Sequence, residues 1–177
     1  MTDTMTTEER CTTAIHASNL RVEADRTGSA DVIIAMGMSR SRLGAPLLRL
    51  RSEWDGAGLL QPGQVTPHEF ALLLGRLKTL PSVRYELGLQ AARWGISADV
   101  VAAVLLWWLM PVCQVCHGRK YELEHGATSH RHCKHCKGTG QETLPHGEAG
   151  RKIEDHMTYC MGAFRDSVKK LSKNIHN

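Results

Sequence analysis

The chain has 177 residues, 42% of them apolar, with 22 Lys/Arg against 18 Asp/Glu and a formal charge of +4. That length holds one domain of ordinary size, or a helical domain carrying a small module, and the apolar share is enough for a real core. The charge is too small to demand a polyanionic partner, and no apolar run reaches the roughly 20 residues of a membrane helix.

The opening segment, residues 1–28, is rich in Thr and charge and poor in large apolar groups, so it reads as a flexible tail. It contains no apolar stretch resembling a signal-peptide core, which points to a cytosolic chain. Residues 29–111 read as a helical domain. In "SADVIIAMGMSRSRLGAPLLRLRSEW" two short apolar stretches are interrupted by Gly37, Gly44 and Pro46, which predicts a broken helix rather than strand. In "TPHEFALLLGRLKTLP" Thr66 stands at an N-cap position, with Pro67 at the first helical position and Glu69 where a capping box places it. Phe70, Leu73, Leu74 and Leu77 then form one apolar stripe.

The next stretch, "SVRYELGLQAARWGISADVVAAVLLWWLMP", reads as helix, glycine turn, helix. Ser97 is placed to cap the second helix, Asp99 sits at its positive end, and Pro111 stops it. The small and apolar residues Ala91, Gly95, Ile96, Val101 and Val104 suit a helix-turn-helix. Only Asp99 is charged between Ala98 and Met110, however, whereas a base-reading helix exposes donors such as Arg, Gln or Asn. The pattern therefore favours a buried hairpin over a DNA-facing one.

Residues 112–141 contain Cys113-x2-Cys116-x16-Cys133-x2-Cys136. A Cys-x-x-Cys turn brings two thiolates to one ion, and two such turns complete a tetrahedral zinc site. Gly118, Gly138 and Gly140 supply the positive backbone dihedrals with which the chain turns its N–H groups toward sulfur. One structural Zn2+ on these four cysteines is the expectation. A redox pair would need a single Cys-x-x-Cys beside a βαβ pattern, and a catalytic zinc would keep an open position that four thiolates close. His117, His132 and His135 are left as surface or phosphate-contacting residues. Cys11 and Cys160 have no partner at ligand spacing and read as a tail thiol and a helix thiol.

Residues 142–177 read as a basic helical segment, with Ile153, Met157, Phe164, Val168 and Leu171 as an intermittent apolar face packing with the helical domain. The same pattern also suits a solvated surface helix. From Pro111 onward lie eleven Lys/Arg, seven Asp/Glu and eight of the ten histidines, making this the anion-binding half. The candidate DNA contacts are Arg119, Lys120, Arg131, Lys134 and Lys137 around the finger. Arg151, Lys152, Arg165 and Lys169 follow in the last helix. No nucleophile–base pairing, phosphate loop or carboxylate pair stands out, which argues against an enzyme with a small-molecule substrate.

"GSADVIIAMGMSRSRLG", then "CQVCHG" and "CKHCKGTG" and a basic helical tail, resembles the lambda-type late-gene antitermination protein Q family of temperate bacteriophages. The resemblance implies a mostly α-helical protein with an inserted four-cysteine zinc knuckle pair, Cys113, Cys116, Cys133 and Cys136 being the ligands. It further implies binding to a duplex DNA element in a phage late promoter, and engagement of host RNA polymerase paused with its sigma factor in a bacterial cytoplasm. The polymerase is then carried past terminators. The first knuckle departs from the family in reading "CHGRK", with Lys120 where a second glycine is common. A different class is suggested by "CKHCKGTG", which is also the repeat of DnaJ-like chaperone cysteine-rich domains, although those use four such units and this chain has two. An RNA-binding knuckle ranks third, since Tyr121 is the finger's sole aromatic.

Overall fold

The computed structural model describes residues 5–18, 28–38, 42–57, 67–124 and 127–174. Among them the protein is mostly helical: α1 (Thr7–Ile15), α2 (Ser29–Gly37), α3 (Gly44–Gly56), α4 (Pro67–Arg76), α5 (Leu80–Arg93), α6 (Ala98–Leu109) and α7 (Gly147–Asn174). A two-stranded antiparallel sheet, β1 (Tyr121–Glu124) and β2 (Ala127–His132), lies between α6 and α7 in the chain. No helix among the described residues is long and apolar enough to cross a membrane. The chain divides into two compact units, Met1–Ser52 with Asp155–Asn177, and Glu53–Glu154. This differs from the division read from the sequence, because the boundary falls inside α3 and α7 and the cysteine module shares a unit with α4, α5 and α6.

The first unit corrects the expectation of a flexible tail. Thr6 caps α1, its hydroxyl accepting from the Glu9 N–H at 3.3 Å while Glu9 accepts from the Thr6 N–H at 2.6 Å. Such a reciprocal cap satisfies two donors that a short helix otherwise leaves to water. Cys11 and Ala14, on one face of α1, are buried with Val32 and Ala35 of α2, Leu48 of α3 and Phe164 and Val168 of α7. The apolar residues here are too small to register as a core stripe in composition, so the tail reading missed them. Cys11 is consequently a core thiol, not a tail thiol. Residues 1–4 and 19–27 of the expected tail lie outside the described residues.

The broken helix is present as expected, α2 ending at Gly37 and α3 starting at Gly44 with Pro46 in its first turn, where a missing N–H costs nothing. The C-terminal segment is a helix whose apolar face is buried: Ile153, Met157, Phe164 and Val168 are all at most 2% exposed. A wholly solvated surface helix is therefore excluded.

In the second unit, Trp54 and Phe70 meet edge to face, ring centroids 6.2 Å apart. Phe70, Leu73 and Leu74 of the α4 stripe are half-buried and Leu77 is fully buried. The proposed Thr66 cap lies outside the described residues. Ahead of α5, the Glu53 carboxylate accepts from the N–H of Thr79 at 3.0 Å and from its hydroxyl at 2.6 Å. Helix α5 closes with Gly95 at φ +70, the Ile96 N–H reaching Ala91 O and the Gly95 N–H reaching Ala92 O. This is a Schellman end, which only a residue at ease with positive φ can make. Ser97 occupies the cap position of α6 in extended backbone, but its side chain makes no capping bond. Val83, Leu87 and Ala91 of α5 and Val101, Val104, Leu105 and Leu109 of α6 are buried, and each Val or Leu contributes on the order of 2 kcal/mol. Beyond Asp99 no residue of α6 is exposed, so this helix is packed along its length and offers no exposed side chain for reading bases.

Candidate metal centre

Helix α6 ends at Leu109, and Pro111 redirects the chain into the first knuckle, Cys113–Lys120. The second knuckle, Cys133–Gly140, follows β2, and its trace repeats the first. His117 and Gly118 have φ of 49° and 80°, and the equivalent Lys137 and Gly138 have 53° and 83°. The fourth residue after each second cysteine matches as well, Lys120 at 71° and Gly140 at 79°. The hydrogen bonds cross over in a matched pair: the Cys113 N–H donates to Gly140 O and the Cys133 N–H to Lys120 O, both at 2.9 Å. Within each turn, the Arg119 N–H returns to Cys116 O at 3.0 Å and the Thr139 N–H to Cys136 O at 3.1 Å. The same two carbonyls also accept from the side chains, Arg119 Nε at 3.2 Å and Thr139 Oγ1 at 2.8 Å.

This pairing brings the four Sγ atoms within 4.8 Å of one another, with every cysteine at most 5% exposed. Cys116 and Cys136 Sγ stand 3.7 Å apart. A tetrahedral ion with sulfur bonds of about 2.3 Å places its ligands ~3.8 Å apart, so this edge already has the spacing of a metal thiolate site. The Gly140 N–H points at Cys136 Sγ from 3.2 Å, a donor that favours thiolate over thiol. Burial raises the Cys136 thiol, but the N–H groups of Gly140 and Gly138 and the neighbouring Cys116 and Cys133 thiols outweigh it, and the balance is about 6. For Cys113, burial dominates over the N–H groups of Cys116 and Val115 and pushes the thiol up to about 11. Four buried thiols of this kind can hold one metal ion.

Comparison with protein-family models, with curated proteins and with solved structures finds no match.

The three neighbouring histidines stay off the cluster's sulfur positions. His117 is half-buried, its Nδ1 enclosed without a hydrogen-bond partner. His132 is exposed and stacks on Tyr121, centroids 5.1 Å apart and planes 22° from parallel. His135 Nε2 lies 2.7 Å from Glu142 Oε2. One ligand atom each from Cys113, His135 and Glu142 also falls within 4.8 Å of the others, but His135 is already engaged by that carboxylate.

Glu142 is the residue the sequence reading missed. Its carboxylate takes His135 from the second knuckle and the Gln114 N–H from the first, the latter at 3.3 Å. Its backbone N–H donates to Pro111 O at 2.8 Å, and its carbonyl accepts from Trp107 Nε1 on α6 at 2.9 Å. The His135 contact, with the Gln114 and Thr143 N–H groups, holds its carboxyl below the ordinary range against the opposing effect of burial. A lone glutamate after a zinc motif carries no sequence signal for this role; only the fold brings both knuckles and α6 around it.

The connection between the knuckles forms a hairpin that the sequence reading did not anticipate. Tyr121 pairs with His132, Leu123 with Thr128 and Glu124 with Ala127, with an irregularity after Tyr121. The alternation of Tyr121 and Leu123 was the available signal. Arg119, Lys120, Arg131, Lys134 and Lys137 are all exposed around this finger, and Lys134 Nζ lies 3.7 Å from Glu122 Oε1. Of the helix α7 candidates, Arg151, Lys152 and Lys169 are exposed and Arg165 is half-buried. Lys152 Nζ sits 4.9 Å over the Trp94 ring, so part of its charge is spent within the unit. Cys160, on α7, has Sγ 3.6 Å from His156 Nε2, and burial raises the thiol and lowers the imidazole, each shift favouring the uncharged form.

Proposed function

We propose that the chain is a zinc-stabilised transcription antitermination factor, which binds duplex DNA at a phage late promoter and modifies host RNA polymerase to read through terminators. The observation that carries the DNA part is the set of five exposed cations, Arg119, Lys120, Arg131, Lys134 and Lys137, displayed on a finger whose cysteines converge on one centre. Phosphate neutralisation by such side chains supplies most of the sequence-independent affinity for duplex. Zinc is the ion assigned, because four buried thiols within 4.8 Å of one another suit its four-sulfur structural sites. When bound it supplies folding energy and no chemistry. A Zn2+ held by four thiolates carries −2, and the surrounding cations offset that charge.

The polymerase and promoter part rests on the sequence resemblance to the Q family. The test is a reconstituted transcription reaction with host polymerase, its sigma factor and a template carrying the late promoter next to the gene. Read-through of a downstream terminator rises when the protein is added, and only on templates that keep the promoter element. Read-through independent of the element, or none on the cognate promoter, overturns the assignment.

A further inference from the structure

A groove of about 660 Å³ opens on the finger beside the cysteine cluster, lined by Val115, Tyr121, Glu122, Lys134 and His135 together with Cys116 and Cys133. Its volume falls within the range of small-ligand sites. Three features give it a chemistry. Tyr121 lines the groove while the imidazole of His132 is stacked against its ring, so the phenol is already fixed as a platform before any ligand arrives. Lys134 stands at the rim with 87% of its side chain exposed, its Nζ 3.7 Å from Glu122 Oε1, so a phosphate would meet the cation in exchange for that solvent-screened pair. Glu122 offers a carboxylate, 25% exposed, on the same wall. Val115, 61% exposed, adds an apolar surface that the protein itself leaves uncovered.

We infer that this groove binds a single unpaired nucleotide, its base stacked on Tyr121, its amino edge donating to Glu122 and its phosphate on Lys134. This rests on the nucleic-acid reading of the finger and narrows it. An intact duplex offers phosphates to Lys134, but its bases are stacked on one another and present no face to a tyrosine. A base that is bulged, melted or single-stranded presents that face, and stacking on an aromatic side chain tolerates any base. The exposed Val115 and the stacked ring suit a flat heterocycle; the carboxylate favours one that carries exocyclic or ring N–H donors.

The test uses the metal-loaded full-length chain and four probes: a fully paired DNA duplex, the same duplex with one bulged 2-aminopurine, and the corresponding DNA and RNA single strands. The bulged duplex binds about 10-fold more tightly than the paired one, in keeping with one base stacked on an aromatic. The 2-aminopurine emission is quenched on binding, a readout that requires no variant. Tyr121→Phe keeps both effects, whereas Tyr121→Ala abolishes them while the affinity for paired duplex and the bound metal are retained. The DNA and RNA strands compete for the same quench, and the stronger competitor identifies the natural source of the nucleotide. Paired and bulged duplexes bound equally well, or an unquenched bulge, overturns this inference and leaves the duplex reading standing. Absence of binding to all four probes overturns both.

Discussion

The two knuckles share a backbone and differ in how they reach it. Each has two consecutive residues of positive φ after its second cysteine, each returns an N–H to that cysteine's carbonyl, and each receives the first cysteine of the other through one 2.9 Å bond. At the crossing point, however, the second knuckle has Gly140 and the first has Lys120, both in the left-handed region. A glycine is at ease there; an L-residue is strained by roughly 1–2 kcal/mol. At this position the second knuckle is suited to its shape and the first is held in it by what surrounds it, while His117 and Lys137 place a non-glycine residue at positive φ in both. Glu142 contributes to that hold, bonding the Gln114 N–H of the first knuckle as well as His135 of the second. A site built from two similar halves can carry a less favourable residue in one of them while crossed hydrogen bonds tie both to one shape.

The largest effect comes from removing the ligand that both halves share. If the knuckles are equivalent partners in one tetrahedral centre, Cys116→Ser and Cys133→Ser each release the ion and unfold residues 112–141, a loss on the order of 10 kcal/mol of metal-coupled folding energy. Native mass spectrometry counts one metal ion in the parent chain and none in either variant, and hydrogen exchange over the finger rises to that of free peptide. A variant that keeps its ion would show that one knuckle binds without the other.

A smaller effect separates the halves. A Cβ on Gly140 falls 2.9 Å from Gly118 O, a backbone atom of the opposite knuckle, and also demands a positive φ of an L-residue. Gly140→Ala is expected to cost about 2–3 kcal/mol, combining the strained conformation with the displaced backbone. Chemical denaturation of the metal-loaded protein measures it. A cost below 0.5 kcal/mol, a bound set by the usual range of surface substitutions at about that size, would mean that the knuckles do not meet here.

The smallest effect has the opposite sign. Lys120→Gly removes the strain of the first knuckle but adds backbone freedom to the unfolded chain, for a net gain of roughly 0.5–1 kcal/mol. Stability and DNA binding then part company: the same variant deletes an exposed cation, and the slope of log affinity against log salt flattens by about 0.9. Greater stability with an unchanged slope would place Lys120 outside the DNA surface. Lower stability would show that the lysine side chain holds the knuckle by contacts worth more than the strain.

Sequence alone determined the parts of this protein whose physics is local. The four cysteines, their spacing and the glycines after them specify two knuckles, because turn geometry and metal coordination act over a few residues. The break between α2 and α3 and the glycine turn between α5 and α6 were legible for the same reason: Gly37, Gly44 and Gly95 act on their own backbone. The lack of Arg, Lys, Gln or Asn on α6 also marked it as core before any packing was known. Tertiary structure alone decided the rest. Helix α1 was hidden because Cys11 and Ala14 are small, and their value lies in fitting against Val32, Ala35, Leu48, Phe164 and Val168, residues scattered along the chain. The groove beside Tyr121 depends on a cross-strand pairing with His132, and Glu142 acquires its role only where Trp107, Gln114 and His135 converge on it. Contacts between residues distant in sequence leave no periodic trace, since each side chain is chosen for a neighbour that the linear order does not name.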